Sequence, residues 1–496
     1  MRYLKPEGQE FTSEELKKHA TSTIIVMALM GTLITYVETM VTPAINILVH
    51  DFHTTYTQIS WIITAYVISG TISAALFGRL ADIVGRKKIF VSLSIVYAIA
   101  VSLGGFATNL GELVAIRALQ GLGFGMFPVA FALLNDQVPK ERLALAQGIL
   151  SATFSAGAAL GLVLGSWIID NLDWEWSFHS AIPVAILLSI LSWIVLRDSR
   201  SPAGEKIDYL GIAFLSYTVF SFILAVSEGQ TWGWTSMTII MLFVSSFFSL
   251  IYFLISERSL SDQPFINLDT LKIRNVLLAN ISGLFSLASL YFLFFTVPTL
   301  LQAPSPAGFG MTIFDSGLIL LPAAVLSMLM APVGAKITLV RGPKVSIIVG
   351  SFVLLIAYVF LLFLRTNILY IITGASILGA GLGMVFVGII NILLLSVSPE
   401  KAGEATGMNV VFRNVGTAIA PAVAGVFETI YFENVTVAYV PFRLGPLPEI
   451  PYYYSFPSSN AYTVIYGIGI VFIVMNLIVA SMMKNIKVKK NEEIPD

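Results

Sequence analysis

The chain has 496 residues, of which 56% are hydrophobic and only 11% are charged, whereas soluble domains carry about 25% charged residues. Its 28 Lys and Arg residues are balanced by 29 Asp and Glu residues, so there is no basic surface for nucleic acid. Cysteine is absent, and the four histidines form no metal-ligand pattern. These features exclude a soluble protein and argue against nucleic-acid binding, a disulfide framework and a zinc site.

Apolar runs long enough to cross a bilayer, which requires about 20 residues per helix, follow one another along the chain. We predict helices over residues 22–48, 57–77, 89–107, 112–134, 144–168, 178–196, 209–227, 236–256, 275–301, 313–335, 345–364, 368–396, 403–428 and 460–483. The first run is too long for the core of a signal peptide, so we expect a retained span. The sequence therefore predicts an all-α polytopic membrane protein with 14 transmembrane helices.

Basic residues are distributed unevenly between the segments that connect these runs. With the N-terminus in the cytoplasm, the cytoplasmic segments hold 24 of the 28 Lys and Arg residues. The opposite side keeps Arg365 and Arg443, the latter in a Pro- and Tyr-rich loop predicted over residues 431–460, while Arg117 and Arg413 lie within spans. The positive-inside rule predicts that both termini are cytoplasmic. We also expect the protein to lie in the plasma membrane.

Small residues recur at a nearly constant distance, as in transporters built from repeated halves. The clearest set reappears 258 positions later: Gly121, Gly123, Gly125 and Met126 become Gly379, Gly381, Gly383 and Met384. This distance equals eight helices, so helices 1–6 correspond to helices 9–14. We therefore predict a cytoplasmic N-terminus, a six-helix half, two inserted helices, a second six-helix half and a cytoplasmic tail over residues 1–21, 22–196, 209–256, 275–483 and 484–496.

Several motifs in the chain resemble those of the major facilitator superfamily, and more closely those of its fourteen-helix branch of drug:proton antiporters. The loop after the second helix reads GRLADIVGRKK over residues 78–88. Further matches are ETMVTPA over 38–44, SW at 60–61, AY at 65–66, RALQGLG over 117–123, WEWSF over 174–178 and GLILLP over 317–322. The resemblance covers most of the chain.

This resemblance implies a major facilitator fold of two six-helix halves plus two inserted helices, which alternates between inward-open and outward-open states. It implies proton-driven export of amphipathic organic compounds or drugs by a monomer in the lipid bilayer, without a cofactor, a metal or enzyme activity. It also implies a gating motif at the cytoplasmic face, formed by Gly78, Asp82, Gly85, Arg86 and Lys87. Physically, the Asp82 carboxylate can accept hydrogen bonds from Arg86 or from an exposed helix N-terminus.

Glu38 is the only acidic residue deep within a predicted span. A charge at the centre of a bilayer costs about 3 kcal/mol even on insertion scales, so such a residue is expected to face a water-filled cavity or a partner. The resemblance makes Glu38 and Arg117 the proton-coupling residues. We expect Arg117 to bind either Glu38 or backbone carbonyls of the first helix, and a purely structural ion pair is the alternative.

The second buried cation, Arg413, has no equally deep carboxylate left to it. We expect it either to bind carbonyl groups or to approach an anionic group of a substrate. The other residues of the predicted cavity are polar, aromatic or Met side chains, which form adaptable pockets but more often serve packing: Tyr36, Tyr66, Gln120, Met126 and Asn409. Phe127 and Tyr291 are further aromatic candidates.

Helix 5 carries Gly157, Gly161 and Gly165 at four-residue spacing, which predicts close packing against another helix. The antiporter form of this motif has a proline and a further glycine where this chain has Leu162 and Ser166. These departures leave two alternatives open: a proton-coupled importer or uniporter of an organic acid, and a membrane sensor that transports nothing.

The predicted topology can be tested by cysteine labelling, because the chain contains no cysteine. Single cysteines at Ser201 and Ser458 should react with an impermeant thiol reagent from opposite sides of the membrane. Labelling of both from the same side would contradict the predicted topology.

Overall fold

The computed structural model describes residues 13–44, 47–48, 51–54, 56–59, 61–197, 208–260, 268–398, 401–440 and 450–486. Within these residues, 14 helices are long and apolar enough to cross a membrane, which confirms the predicted number. They are α1 (Ser13–Thr39), α2 (Trp61–Val84), α3 (Arg86–Gly104), α4 (Leu110–Gln137), α5 (Lys140–Asn171), α6 (Glu175–Val195), α7 (Tyr209–Trp232), α8 (Met237–Ile255), α9 (Arg274–Gln302), α10 (Ile313–Arg341), α11 (Pro343–Phe363), α12 (Ile368–Ser396), α13 (Ala402–Ile430) and α14 (Ser459–Met482). Ser201, Arg443 and the predicted tail beyond residue 486 lie outside the described residues.

Several predicted boundaries are wrong, and α2 continues to Val84 through the first part of the loop predicted over residues 78–88. The first helix ends at Thr39 instead of residue 48, and a 3-10 turn follows over Thr42–Ala44, because Pro43 cannot donate the next helical hydrogen bond. The predicted loop over 431–460 contains an antiparallel hairpin, formed by β1 (Phe432–Val440) and β2 (Ile450–Pro457). The first segment has three valines and the second has three tyrosines, and both residue types favour strands.

The two six-helix sets pack in the same way. In the first set α1 packs on α5, α2 on α4 and α3 on α6, and in the second set α9 packs on α13, α10 on α12 and α11 on α14. The repeated glycines occupy equivalent contacts, since a Cβ at Gly121 would overlap the Tyr66 carbonyl of α2 and one at Gly379 would overlap the Ala323 carbonyl of α10. The repeat read from the sequence is therefore a repeat of helix packing.

The inserted helices lie beside the bundle. Helix α7 contacts α2 of the first half and α13 of the second half, while α8 packs mainly on α7. The side-chain amide of Gln230 donates to the Gly425 carbonyl at 3.1 Å, and the rings of Trp61 and Trp232 are 6.3 Å apart. The insert thus spans the boundary between the halves on one side.

The two ends of the bundle are distinguished by their connections. We call the end that carries the α2–α3 turn and the start of α13 the near face, and the end that carries the β-hairpin the far face. The positive-inside pattern predicts that the near face is cytoplasmic.

The glycine stripe of α5 packs against α1. A Cβ at Gly157 or Gly161 would overlap or press on α1 backbone atoms, and one at Gly165 would press on the backbone of Met40, directly after α1. At this close approach, the Thr35 hydroxyl donates to the Thr153 carbonyl at 2.9 Å and the Thr39 hydroxyl donates to the Ala158 carbonyl at 2.8 Å. Small residues and interhelical hydrogen bonds are the usual means of joining helices in lipid.

Substitution of Gly161 by alanine should therefore lower the midpoint of thermal unfolding in detergent, because the added methyl group overlaps the Thr39 hydroxyl and the Tyr36 carbonyl. Overpacking of this kind costs about 1–3 kcal/mol. Gly467→Ala is the matched control, since no atom lies within 4 Å of its added methyl group. Equal midpoints for the two variants would contradict the packing described.

Candidate functional site

Asp82 joins the two halves at the near face. Its Oδ1 accepts from Arg86 Nε at 3.0 Å and from Arg86 Nη2 at 2.8 Å, while its Oδ2 accepts from the backbone N–H of Glu404 at 3.1 Å. Glu404 lies in the first turn of α13, where free N–H groups and the helix dipole favour a negative charge. Arg86 also donates to Asp136 Oδ1 at 2.7 Å. Both partners foreseen for Asp82, the arginine and a helix N-terminus, are engaged at once.

The backbones of α2 and α13 touch beside this carboxylate. A Cβ at Gly78 would lie 2.6 Å from the Gly403 carbonyl oxygen, so only glycine allows this approach. Gly85 has φ of 122° and lets the chain turn from α2 into α3, a conformation that L residues rarely adopt. Lys87 is half-buried and lies outside the hydrogen-bond network of Asp82. These contacts close the near face between the halves.

Arg117 is buried on α4, and protein acceptors bind four of its five N–H donors. It donates to the carbonyls of Ile62, Val37 and Glu38 at 3.1, 2.8 and 2.9 Å and to Gln120 Oε1 at 3.0 Å. Its guanidinium also lies 4.2 Å from the centre of the Tyr66 ring. Of the two predicted partners, the structure therefore shows the carbonyls of α1 and not the Glu38 carboxylate.

Glu38 is half-buried in the last turn of α1 instead of in mid-helix. Its Oε1 accepts a hydrogen bond of 3.0 Å from the hydroxyl of Tyr291. Tyr291 lies near the middle of α9, in the other half, so this bond connects the halves within the bundle. The partner of the Glu38 carboxylate is thus a tyrosine and not an arginine.

A cavity of about 20 Å³ lies beside this hydrogen bond. Such a volume holds roughly one water molecule, far below the roughly 300 Å³ of a small drug site. Its walls come from both halves: Glu38, Phe124, Phe154, Ala158, Leu287, Leu290, Tyr291, Phe294, Asn414 and Thr417. This cavity can accommodate a drug-sized ligand only when side chains or whole halves move.

Arg413 is 1% exposed and lies between two aromatic rings. Its Cζ is 3.8 Å from the centre of the Phe154 ring of α5 and 4.4 Å from that of Phe386 of α12. Its Nε and Nη2 have no hydrogen-bond partner. Two cation–π contacts contribute about 2 kcal/mol each when desolvated, which offsets only part of the several kcal/mol that burying a charge costs.

Most predicted cavity residues serve helix packing around the described cavity. Tyr66 donates to the Ile34 carbonyl at 2.9 Å, and Gln120 donates to the Ala100 carbonyl at 3.0 Å. The remaining members are buried or half-buried and, like these two, are absent from the lining: Tyr36, Met126, Asn409 and Arg413. None of these six residues lines the described cavity, whereas Tyr291, a further aromatic candidate, does. The role of the six residues in substrate binding stays a prediction.

The lining residues that sequence reasoning missed are mostly apolar. Phe154 lies three positions before Gly157 on α5, and Asn414 directly follows Arg413. Closeness in sequence to Gly157 or Arg413 was the only feature that could have indicated either residue as part of the lining. Phe127 stacks on Phe154 at 4.1 Å between ring centres and supports the wall from behind.

The fold and the charged cavity between two equivalent halves define a multi-pass membrane transporter. The family model described as Major Facilitator Superfamily matches residues 27–421, and the chain belongs to this superfamily. This match confirms the family that the sequence motifs resemble.

Three individual similarities extend this result. The chain is 28% identical over 363 residues to the Multidrug transporter protein MdtP of Bacillus subtilis, a match that covers 72% of this chain and 66% of that protein, just under two thirds. It is 26% identical to Multidrug resistance protein 3 of B. subtilis over 84% of this chain and 81% of that protein. The solved structure of the human organic anion transporter MFSD10 (TETRAN) has a TM-score of 0.63 and 13% identity, covers 93% of this chain and 99% of that one, and shows likeness of fold alone.

Replacing Asp82 by asparagine should slow transport and leave substrate binding in detergent nearly unchanged. The amide keeps the side-chain shape but loses the charge that Arg86 and the Glu404 N–H bind, so the near-face contact weakens. A change of about 1.4 kcal/mol alters the ratio of two conformations tenfold. Turnover in proteoliposomes and ligand binding in detergent measure the two effects separately.

Asp136→Asn is the matched control. Asp136 shares Arg86 with Asp82, but the backbone N–H of Glu404 donates to Asp82. Equal loss of turnover in both variants would show that the arginine, and not the contact between halves, is what matters.

Proposed function

We propose that this protein exports amphipathic organic compounds in exchange for protons by alternating access, with Glu38 as the proton-binding group. The observation that carries the proposal is the hydrogen bond between the Glu38 carboxylate and the Tyr291 hydroxyl. It places a titratable group in a cavity formed by both halves. The names of the relatives MdtP and Multidrug resistance protein 3 support drug export as the activity.

The coupling follows from what protonation does to that hydrogen bond. An ionised carboxylate accepts a charge-assisted bond, which is roughly twice as strong as a neutral one. Protonation of Glu38 weakens its attraction for Tyr291 and so changes the free energy of the contact between the halves. The cavity is also too small for a substrate in this conformation, so binding and conformational change must be linked.

The direction of exchange requires that a proton and a substrate oppose each other's binding. A proton from outside occupies Glu38 after the substrate leaves, and the protonated protein opens the near face by breaking the Asp82–Glu404 contact. A substrate entering from the cytoplasm then displaces the proton. One net charge moving through 100 mV supplies about 2.3 kcal/mol, enough for a roughly 50-fold substrate gradient.

Arg413 favours a second candidate, proton-coupled uptake of an organic acid, because its guanidinium lacks a hydrogen-bond partner at Nε and Nη2. The two functions differ in the sign of a proton change. An antiporter releases protons when its substrate binds, whereas a symporter takes them up.

We expect addition of ethidium, a cationic amphipathic probe, to release protons from purified wild-type protein in weakly buffered detergent solution. Glu38→Gln mimics the protonated form and should release none, and it should lose efflux driven by a pH gradient. A pH-sensitive dye measures the release, and proteoliposomes measure the efflux.

Glu112→Gln is the matched control, because Glu112 is an exposed carboxylate bound to Thr108 at the start of α4. It should release protons as the wild type does. Equal release from wild type and Glu38→Gln, with efflux preserved, would exclude Glu38 as the proton site. Proton uptake in place of release would favour the importer.

A further inference from the structure

Arg117 and Arg413 are each 1% exposed in the interior of membrane-spanning helices, and they differ in how their charge is compensated. Arg117 makes four hydrogen bonds to protein acceptors. Arg413 is equally buried, yet its Nε and Nη2 have no hydrogen-bond partner, and no ion pair to it exists among the described residues. A guanidinium that served only packing would be expected to have acceptors as Arg117 does, because burying unpaired charge is strongly unfavourable.

The free atoms form one edge of the guanidinium group. The N–H bonds of Nε and Nη2 are parallel to each other, and their spacing matches that of the two oxygens of a carboxylate. Such an edge binds a carboxylate in a bidentate manner. A planar carboxylate therefore fits this vacant edge better than a single carbonyl oxygen does.

Other unpaired polar atoms lie beside Arg413. Asn409, one turn earlier on α13, donates to Asn280 Oδ1 of α9 at 3.2 Å, and this leaves Asn280 Nδ2 and Asn409 Oδ1 without partners. A Cβ at Gly283 would lie 3.0 Å from Arg413 Cγ and 2.8 Å from Asn409 Nδ2. The glycine thus brings α9 against this polar group, which offers both a cation and an additional N–H donor.

Phe154 is the wall between this polar group and the cavity. Its ring covers the Arg413 guanidinium at 3.8 Å and lines the cavity that contains Glu38. Phe154 belongs to the first half, whereas Arg413 and Phe386 belong to the second half. A movement that separates Phe154 from Arg413, or a rotation of the Phe154 ring, is therefore needed to expose the guanidinium to the cavity.

We propose that Arg413 is a specificity-determining residue that binds the carboxylate of zwitterionic amphipathic substrates once Phe154 moves aside. The amine of the same molecule then faces Glu38 across the cavity. This inference rests on the proposed transport function and adds the class of substrate. It explains why a cation is kept beside a cavity whose other charged residue is an acid.

The proposal can be tested with two dyes that differ by one methyl ester: rhodamine 110, which carries a free carboxylate, and rhodamine 123, its ester. Fluorescence polarisation on the purified full chain in detergent gives both dissociation constants. The acid-to-ester ratio of dissociation constants should rise at least tenfold in Arg413→Met. Arg413→Lys should recover only part of the loss, because an ammonium group cannot form the bidentate contact.

Arg365→Met is the control, since Arg365 lies between α11 and α12 and binds Ser459 and Thr463. Its ratio should equal that of the wild type. If Arg413→Met fails to fold, Arg413→Lys, which keeps the charge, carries the test through its own rise in the ratio.

The outcomes separate this inference from the proposed function. An unchanged ratio of dissociation constants in Arg413→Met would overturn the role of Arg413 in carboxylate binding. If this variant loses affinity for both dyes equally, the role of Arg413 is structural. Wild-type binding of the ester but not of the acid would overturn the carboxylate site and leave proton-driven export intact. Binding of neither dye would count against both proposals.

Discussion

Compensation of buried charge is the constraint on which the rest of this structure depends. Hydrocarbon cannot solvate an ion, and the described cavity holds roughly one water molecule, so a charge between the helices needs partners in the protein. Arg117 has carbonyls and a side-chain amide, and Asp82 has Arg86 and a helix N-terminus. Glu38 and Arg413 are compensated less completely, and both lie at the cavity walls or directly behind them.

Three hydrogen bonds join the two halves at different depths in the bundle. Asp82 reaches the Glu404 N–H at the near face, Asn414 donates to the Thr71 hydroxyl at 2.9 Å further in, and Tyr291 donates to Glu38 at the cavity. Each contact is a single hydrogen bond of modest net free energy, about 1–3 kcal/mol. Contacts of this size can be broken and formed again by one proton or one ligand, whereas the glycine-lined packing within each half remains intact.

The contacts of Asp82 could be predicted well because their chemistry is local. Asp82 and Arg86 are four residues apart, and a carboxylate at the end of a helix has few alternatives to a basic neighbour or a helix N-terminus. The partner of Glu38 could not be predicted, because Tyr291 is 253 positions away and nothing in the sequence around either residue refers to the other. The acceptors of Arg117 were foreseen only as one of two alternatives, since a carbonyl leaves no pattern in a sequence.

The sequence by itself determined the 14 membrane-spanning helices, the repeat and the family, because these depend on apolar length, on small residues at fixed spacing and on contiguous motifs. Only the tertiary structure decided which residues line the cavity and that Phe154 separates Arg413 from it. The physical reason is the solvent. In water a helix shows its buried face by polarity, but in lipid the outer and inner faces are both apolar, so helical periodicity does not reveal which side faces the other half.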